Sequence, residues 1–118
     1  MSEALKGWLD EKIEGLGALE RSLHADARDD EATLARIGSN VYDIVRTVLG
    51  VAERQNPGND LAAREFFLGR IERLRAEWSA AREKATVHDD MQRVHVEDEK
   101  LGALAEVRAA TDELWALQ

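Results

Sequence analysis

The amino-acid sequence predicts an all-α protein: an up-down-up-down antiparallel four-helix bundle in a single domain, residues 1–118. Three observations carry this. Apolar residues recur at alternating spacings of three and four along four long segments, the period of a helix that buries one face. Clusters of turn and capping residues separate those segments. No stretch alternates apolar and polar residues over the length a strand needs.

Helix one is predicted over about 3–27, with Ser2 as its N-cap and Glu3 at the positive end of the helix dipole. Its stripe is Leu5, Leu9, Ile13, Leu16, Leu19 and Leu23, with Trp8 on the edge. Gly15 and Gly17 weaken its middle, each by about 1 kcal/mol relative to Ala. The acidic break Asp26-Ala27-Arg28-Asp29-Asp30 follows, and Asp29 or Asp30 can cap helix two, about 31–55.

Helix two carries the most regular pattern: Leu34, Ile37, Val41, Ile44, Val48 and Val51. Within residues 41–52 only Asp43, Arg46, Thr47 and Gly50 break an otherwise apolar girth, so this helix is predicted to be covered on more than one side. The stripe 41, 44, 48 and 51 is assigned to the domain's own core. Tyr42, Val45, Leu49 and Ala52 then form a second apolar face.

Asn56-Pro57-Gly58-Asn59-Asp60 contains the only proline and is the strongest turn signal in the chain. Asn59 or Asp60 can cap helix three, about 60–85, whose stripe is Phe67, Ile71, Leu74, Trp78, Ala81 and Ala85, with Phe66 and Leu68 alongside. Thr86-Val87-His88-Asp89 has the form of a capping box and predicts helix four over about 87–117. Its stripe is less regular: Met91, Val94, Leu101, Leu104, Val107, Thr111 and Leu114, with Trp115 beside it and Asp98 interrupting. That irregularity predicts a bend or the least buried helix of the four. Asp98 is expected either to pair with a basic residue of another helix or to titrate upward.

Composition narrows the function classes. Net charge is −8, from 24 acidic and 16 basic residues, with Lys and Arg scattered rather than clustered, so a phosphate backbone is repelled and no nucleic-acid partner is expected. The chain has no cysteine, which excludes disulfides, thiol nucleophiles and cysteine-based zinc sites. No apolar run approaches the roughly 20 residues that cross a membrane. The N-terminus has neither the basic nor the apolar region of a signal peptide. The expectation is a soluble cytoplasmic protein without a membrane partner.

Catalytic patterns are sparse. No Glu has a His three residues later, as the paired helices of di-iron bundles require. Glu11-Lys12-Ile13-Glu14 forms one Glu-x-x-Glu, but no Glu-x-x-Asp follows to complete a two-helix carboxylate site for magnesium. There is no phosphate-binding glycine loop, and Ser22, Ser39 and Ser79 have no His at helical spacing. The run Glu97-Asp98-Glu99 near His95 reads as a solvated stretch. No catalytic residue, metal or cofactor is assigned.

Up-down topology sorts side chains into two poles. One collects Leu5, Trp8, Val48, Leu49, Val51, Phe66, Phe67, Leu114, Trp115 and Leu117. That is more apolar area than one bundle end needs, and surplus apolar area on a domain marks an interface. The expected function is a non-catalytic bundle that self-associates, as a homodimer, or docks a protein partner. The partner-binding residues are Trp8, Tyr42, Val45, Leu49, Phe66 and Trp115. The alternative is a small all-α enzyme or metal-binding bundle, nucleotide- or metal-dependent. It would use buried acidic groups or the opposite pole of His24, Asp26, Asp29, Asp30, His88, Asp89 and Asp90.

Overall fold

The computed structural model describes residues 1–116. Four helices follow one another: α1 (Glu3–Ala25), α2 (Asp29–Gln55), α3 (Asp60–Val87) and α4 (Met91–Leu114). They form the predicted four-helix bundle, with no strand among the described residues. α4 ends at Leu114 with Trp115 as its C-cap, short of the predicted end at 117, and Leu117 lies outside the described residues.

The packing is uneven. The α1–α2 and α3–α4 hairpins are the closest pairs, α2 also packs on α4 and α3, α1 meets α4 only slightly, and α1 does not reach α3. α2 and α4 therefore form the short diagonal of a flattened bundle measuring 46 × 35 × 21 Å. Helix four is consequently not the least buried. Its Val94, Glu97, Ala103, Leu104, Val107, Ala110 and Thr111 are all interior.

The main core fills the predicted aromatic end: Leu5 and Leu9 of α1, Val41, Tyr42, Val45, Leu49 and Ala52 of α2, Ala63, Phe67 and Ile71 of α3, Ala103, Leu104, Val107 and Ala110 of α4, and Trp115 just after it. A separate small cluster, Leu23, Ala32 and Ala35, closes the other end of the α1–α2 hairpin.

Both hairpin tips use the same backbone device. The chain leaves α1 with Ala27 in the left-handed region (φ 58°), and the Arg28 N–H bonds back to the Leu23 carbonyl at 2.8 Å. At the end of α3, Asp89 has φ 58° and the Asp90 N–H bonds to the Ala85 carbonyl at 2.8 Å. Each is a Schellman closure. The expected capping box at Thr86–Asp89 does not form. α3 continues through Val87, the Thr86 hydroxyl donates to the Arg82 carbonyl, and Asp90 caps α4 by accepting the Arg93 N–H at 3.1 Å. At the Pro57 turn, Asn59 caps α3 by accepting the Ala62 N–H, as the sequence predicts.

Ser2 occupies the N-cap position of α1, but its hydroxyl makes no cap bond. It donates instead to Glu53 of α2 at 2.8 Å, and the Lys6 ammonium donates to the same carboxylate at 2.6 Å. Burial pushes the Glu53 carboxyl up, but the bonds from Lys6 and Ser2 outweigh it, and the group lies below its ordinary value of 4.5. A carboxylate depressed by folding adds stability that is full above its unfolded pKa and is lost as pH falls through the folded value. The melting temperature should therefore decline as pH drops below 4.5, and Glu53→Gln should flatten part of that decline. Thermal unfolding followed by circular dichroism across the acid range tests this. Superimposable profiles for the two proteins would show that the tie adds nothing.

Candidate functional site

The residues expected to meet a partner are mostly inside the chain. On α2, Tyr42, Val45, Leu49 and Ala52 are each at most 3 % exposed, whereas Ile44 is 43 % exposed and Ile37, Val48 and Val51 are half-buried. The predicted second face of helix two is thus the buried one, and of the stripe assigned to the core only Val41, 1 % exposed, is fully inside. Small residues explain it. Ala32, Ala35, Gly38 and Ala52 share the arc of Tyr42, Val45 and Leu49, so other helices approach α2 most closely there. At Gly38 a Cβ would come within 3.3 Å of the Leu16 side chain of α1.

The aromatic end is a packed cap. Trp115 is 1 % exposed, its ring tilted against Phe67 with centroids 5.8 Å apart. Its indole N–H donates to the Asp60 carboxylate at 3.0 Å, and its carbonyl accepts from Arg64 at 2.8 Å. Trp8 is half-buried and meets Tyr42 edge-on at 5.6 Å. Phe66 is half-buried under the Arg70 guanidinium, 4.9 Å from the ring centre. Of the six residues assigned to a partner, only Trp8 and Phe66 keep appreciable surface.

Two concave features are candidate sites. The first is a groove of about 240 Å³ between α2 and α3, lined by Ile44, Val48, Leu74, Arg70, Arg73 and Glu77. It exists because α1 and α3 do not meet, which leaves the outer flank of α2 uncovered between them. The second is a cleft of about 390 Å³ where α1 meets α4 only lightly, with α2 beneath. Lys12 and Leu16 form one wall, Glu99, Gly102, Ala103 and Glu106 the other, and Gly38 and Tyr42 the floor. The Tyr42 phenol donates to Glu106, and the Lys12 ammonium lies 3.6 Å from the same carboxylate oxygen. Burial, the bond to Glu106 and the charges of Glu106 and Glu99 all push the Tyr42 phenol well above its ordinary value. Sequence reading missed this cleft, because its four polar groups lie on three helices and share no spacing.

The acidic run of α4 divides. Glu97 is fully buried and pairs with Arg93 at 3.0 Å and Lys100 at 3.2 Å along its own helix. Asp98 is exposed and pairs with Arg82 of α3. The expected cross-helix partner of Asp98 is present, but the carboxylate in the stripe is Glu97. At the opposite pole, His24 lies 2.9 Å from Asp29 and 3.6 Å from Glu20, and His88 is the C-cap of α3. No three His, Asp or Glu side chains converge as a metal-ligand set among the described residues. No helix of the described residues is long and apolar enough to cross a membrane. No family model, no curated protein and no solved structure matches the chain.

Proposed function

We propose that the protein is a non-catalytic helical bundle that self-associates through the α2–α3 groove. One observation carries the reading: Ile44, 43 % exposed, stands mid-helix beside half-buried Val48 and Leu74 in a concavity rimmed by Arg70, Arg73 and Glu77. The flank suits a second copy of the same chain. Ile37, Ile44 and Val51 repeat every seven residues, so an antiparallel copy of α2 places Ile44 against its own equivalent and Ile37 against Val51 of the second copy. The rim of Arg70, Arg73 and Glu77 carries both signs of charge, which a two-fold contact can pair across the axis.

α2 has 27 residues and is roughly 40 Å long. A contact of standard size takes about 800 Å² per partner, which α2 and α3 would supply together.

Sedimentation or light scattering over a range of concentrations tests the proposal. The wild type should dimerise, and Ile44→Glu should be monomeric, because the change buries an unpaired charge only in the dimer. Its melting temperature at low concentration should stay within a few degrees, since surface substitutions cost about 0.5 kcal/mol or less. A wild type that remains monomeric at high concentration, or an Ile44→Glu protein of unchanged mass, overturns this face as the contact.

A further inference from the structure

We propose that the charges of α3 fix the second copy antiparallel, Arg70 of each chain pairing with Glu77 of the other across the two-fold axis, an orientation that rests on the self-association reading above. The apolar repeat of α2 does not choose an orientation. Ile37, Ile44 and Val51 meet apolar residues whether the second copy runs parallel or antiparallel. The choice falls to the helix beside it.

α3 lines the groove with Arg70, Arg73, Leu74 and Glu77. These positions are spaced three, four and seven apart, so they share one helix face. Seven residues rise about 10 Å. A cation therefore stands at one end of the groove and an anion at the other, with Arg73 and Leu74 between them. A two-fold that crosses the helices at the middle of the groove exchanges its ends. It sets Arg70 against Glu77 of the second copy, and it does so twice. A two-fold running along the helices would set Arg70 against Arg70 and Glu77 against Glu77, which like charges oppose.

The fold leaves both charges available. Arg70 is exposed and has no carboxylate within ion-pair distance among the described residues. Its guanidinium lies over the half-buried Phe66 ring, 4.9 Å from the centre, which holds it at the rim. Glu77 meets only Arg73, one turn back on its own helix at 3.9 Å, with the two side chains 62 % and 72 % exposed. Glu72, on the same helix but away from this groove, is by contrast closed on Arg75 at 2.9 Å.

The experiment is a charge reversal on the full chain, read by sedimentation equilibrium. Arg70→Glu and Glu77→Arg should each weaken the dimer about tenfold, because two exposed pairs per dimer become repulsive. The double variant restores opposite charges and should return to within about threefold of the wild type. Arg70→Gln should weaken an antiparallel dimer and would tighten a parallel one. Melting temperatures at low concentration should stay within a few degrees, since both side chains are exposed. The chain has no cysteine, so single cysteines report the orientation independently. Ile37→Cys and Val51→Cys should crosslink with each other and not with themselves, because a disulfide needs Cα atoms within about 7 Å. A dimer whose reversals are not rescued by the double variant, or in which Ile37→Cys and Val51→Cys each crosslink to themselves, overturns this orientation and leaves the groove contact standing. A wild type that is monomeric at high concentration overturns the groove contact and the orientation together.

Discussion

Leu49→Glu is expected to unfold the protein. Leu49 is 0 % exposed in the main apolar cluster. Truncating a buried leucine alone costs about 2–5 kcal/mol. A carboxylate placed there adds the penalty of an unpaired buried charge, several kcal/mol more, or forces its own protonation. A domain of this size has only about 5–15 kcal/mol to lose. The contrast is Ile44→Glu, five residues earlier on the same helix, which should fold. Circular dichroism of the two proteins checks the pair directly. The expected result is loss of the cooperative melt for Leu49→Glu and its retention for Ile44→Glu. If Leu49→Glu melted like the wild type, the Tyr42–Val45–Leu49 face would be the outer one, and the helix orientation described here would be wrong.

Trp115→Ala is expected to be the next most damaging single change. The ring fills the end of the bundle beside Phe67, and removing a buried tryptophan costs about 3–5 kcal/mol. The side chain also joins segments distant in sequence. Its N–H bonds to Asp60 at the start of α3, and that carboxylate lies 3.4 Å from the chain's terminal ammonium. The melting temperature should fall by roughly 10–20 °C, taking several degrees per kcal/mol for a chain of this size. Trp115→Phe separates the two contributions. It keeps most of the filling and loses only the bond to a charged acceptor, about 1.5–3 kcal/mol. Differential scanning calorimetry on the three proteins measures both steps. A shift of only a degree or two for Trp115→Ala would mean that the ring lies on the surface, as an interface residue would.

Much of this architecture is legible in local pattern. The four helices, the stop at Asn56–Asp60 and the Asn59 cap depend on residues close together in sequence, and all are found in the structure, whereas Leu19, Ile44 and Met91 of the predicted stripes are exposed. The misreadings have local rivals as their cause. Thr86 has the spacing of a capping box, but its hydroxyl bonds back to the Arg82 carbonyl and the helix runs on past it. Ser2 is spaced to cap α1, but a cross-helix carboxylate at Glu53 takes its hydroxyl. Asp98 sits where it interrupts a stripe, yet α4 turns Glu97 inward and leaves Asp98 facing Arg82.

By itself, the sequence determined that helix two is apolar around most of its girth, and that reading stands. Periodicity gives each side chain a direction around its own helix axis and nothing more. Which half of that wide arc turns inward was decided by the tertiary structure. Ala32, Ala35, Gly38 and Ala52 let neighbouring helices come closest on the Tyr42–Leu49 side, where the greatest area is buried. The same packing left Ile44 at the surface and brought Lys12, Tyr42, Glu99 and Glu106 to one cleft. Residues on three helices become neighbours only when the helices have chosen their faces, because that choice is a sum over all contacts and no single segment contains it.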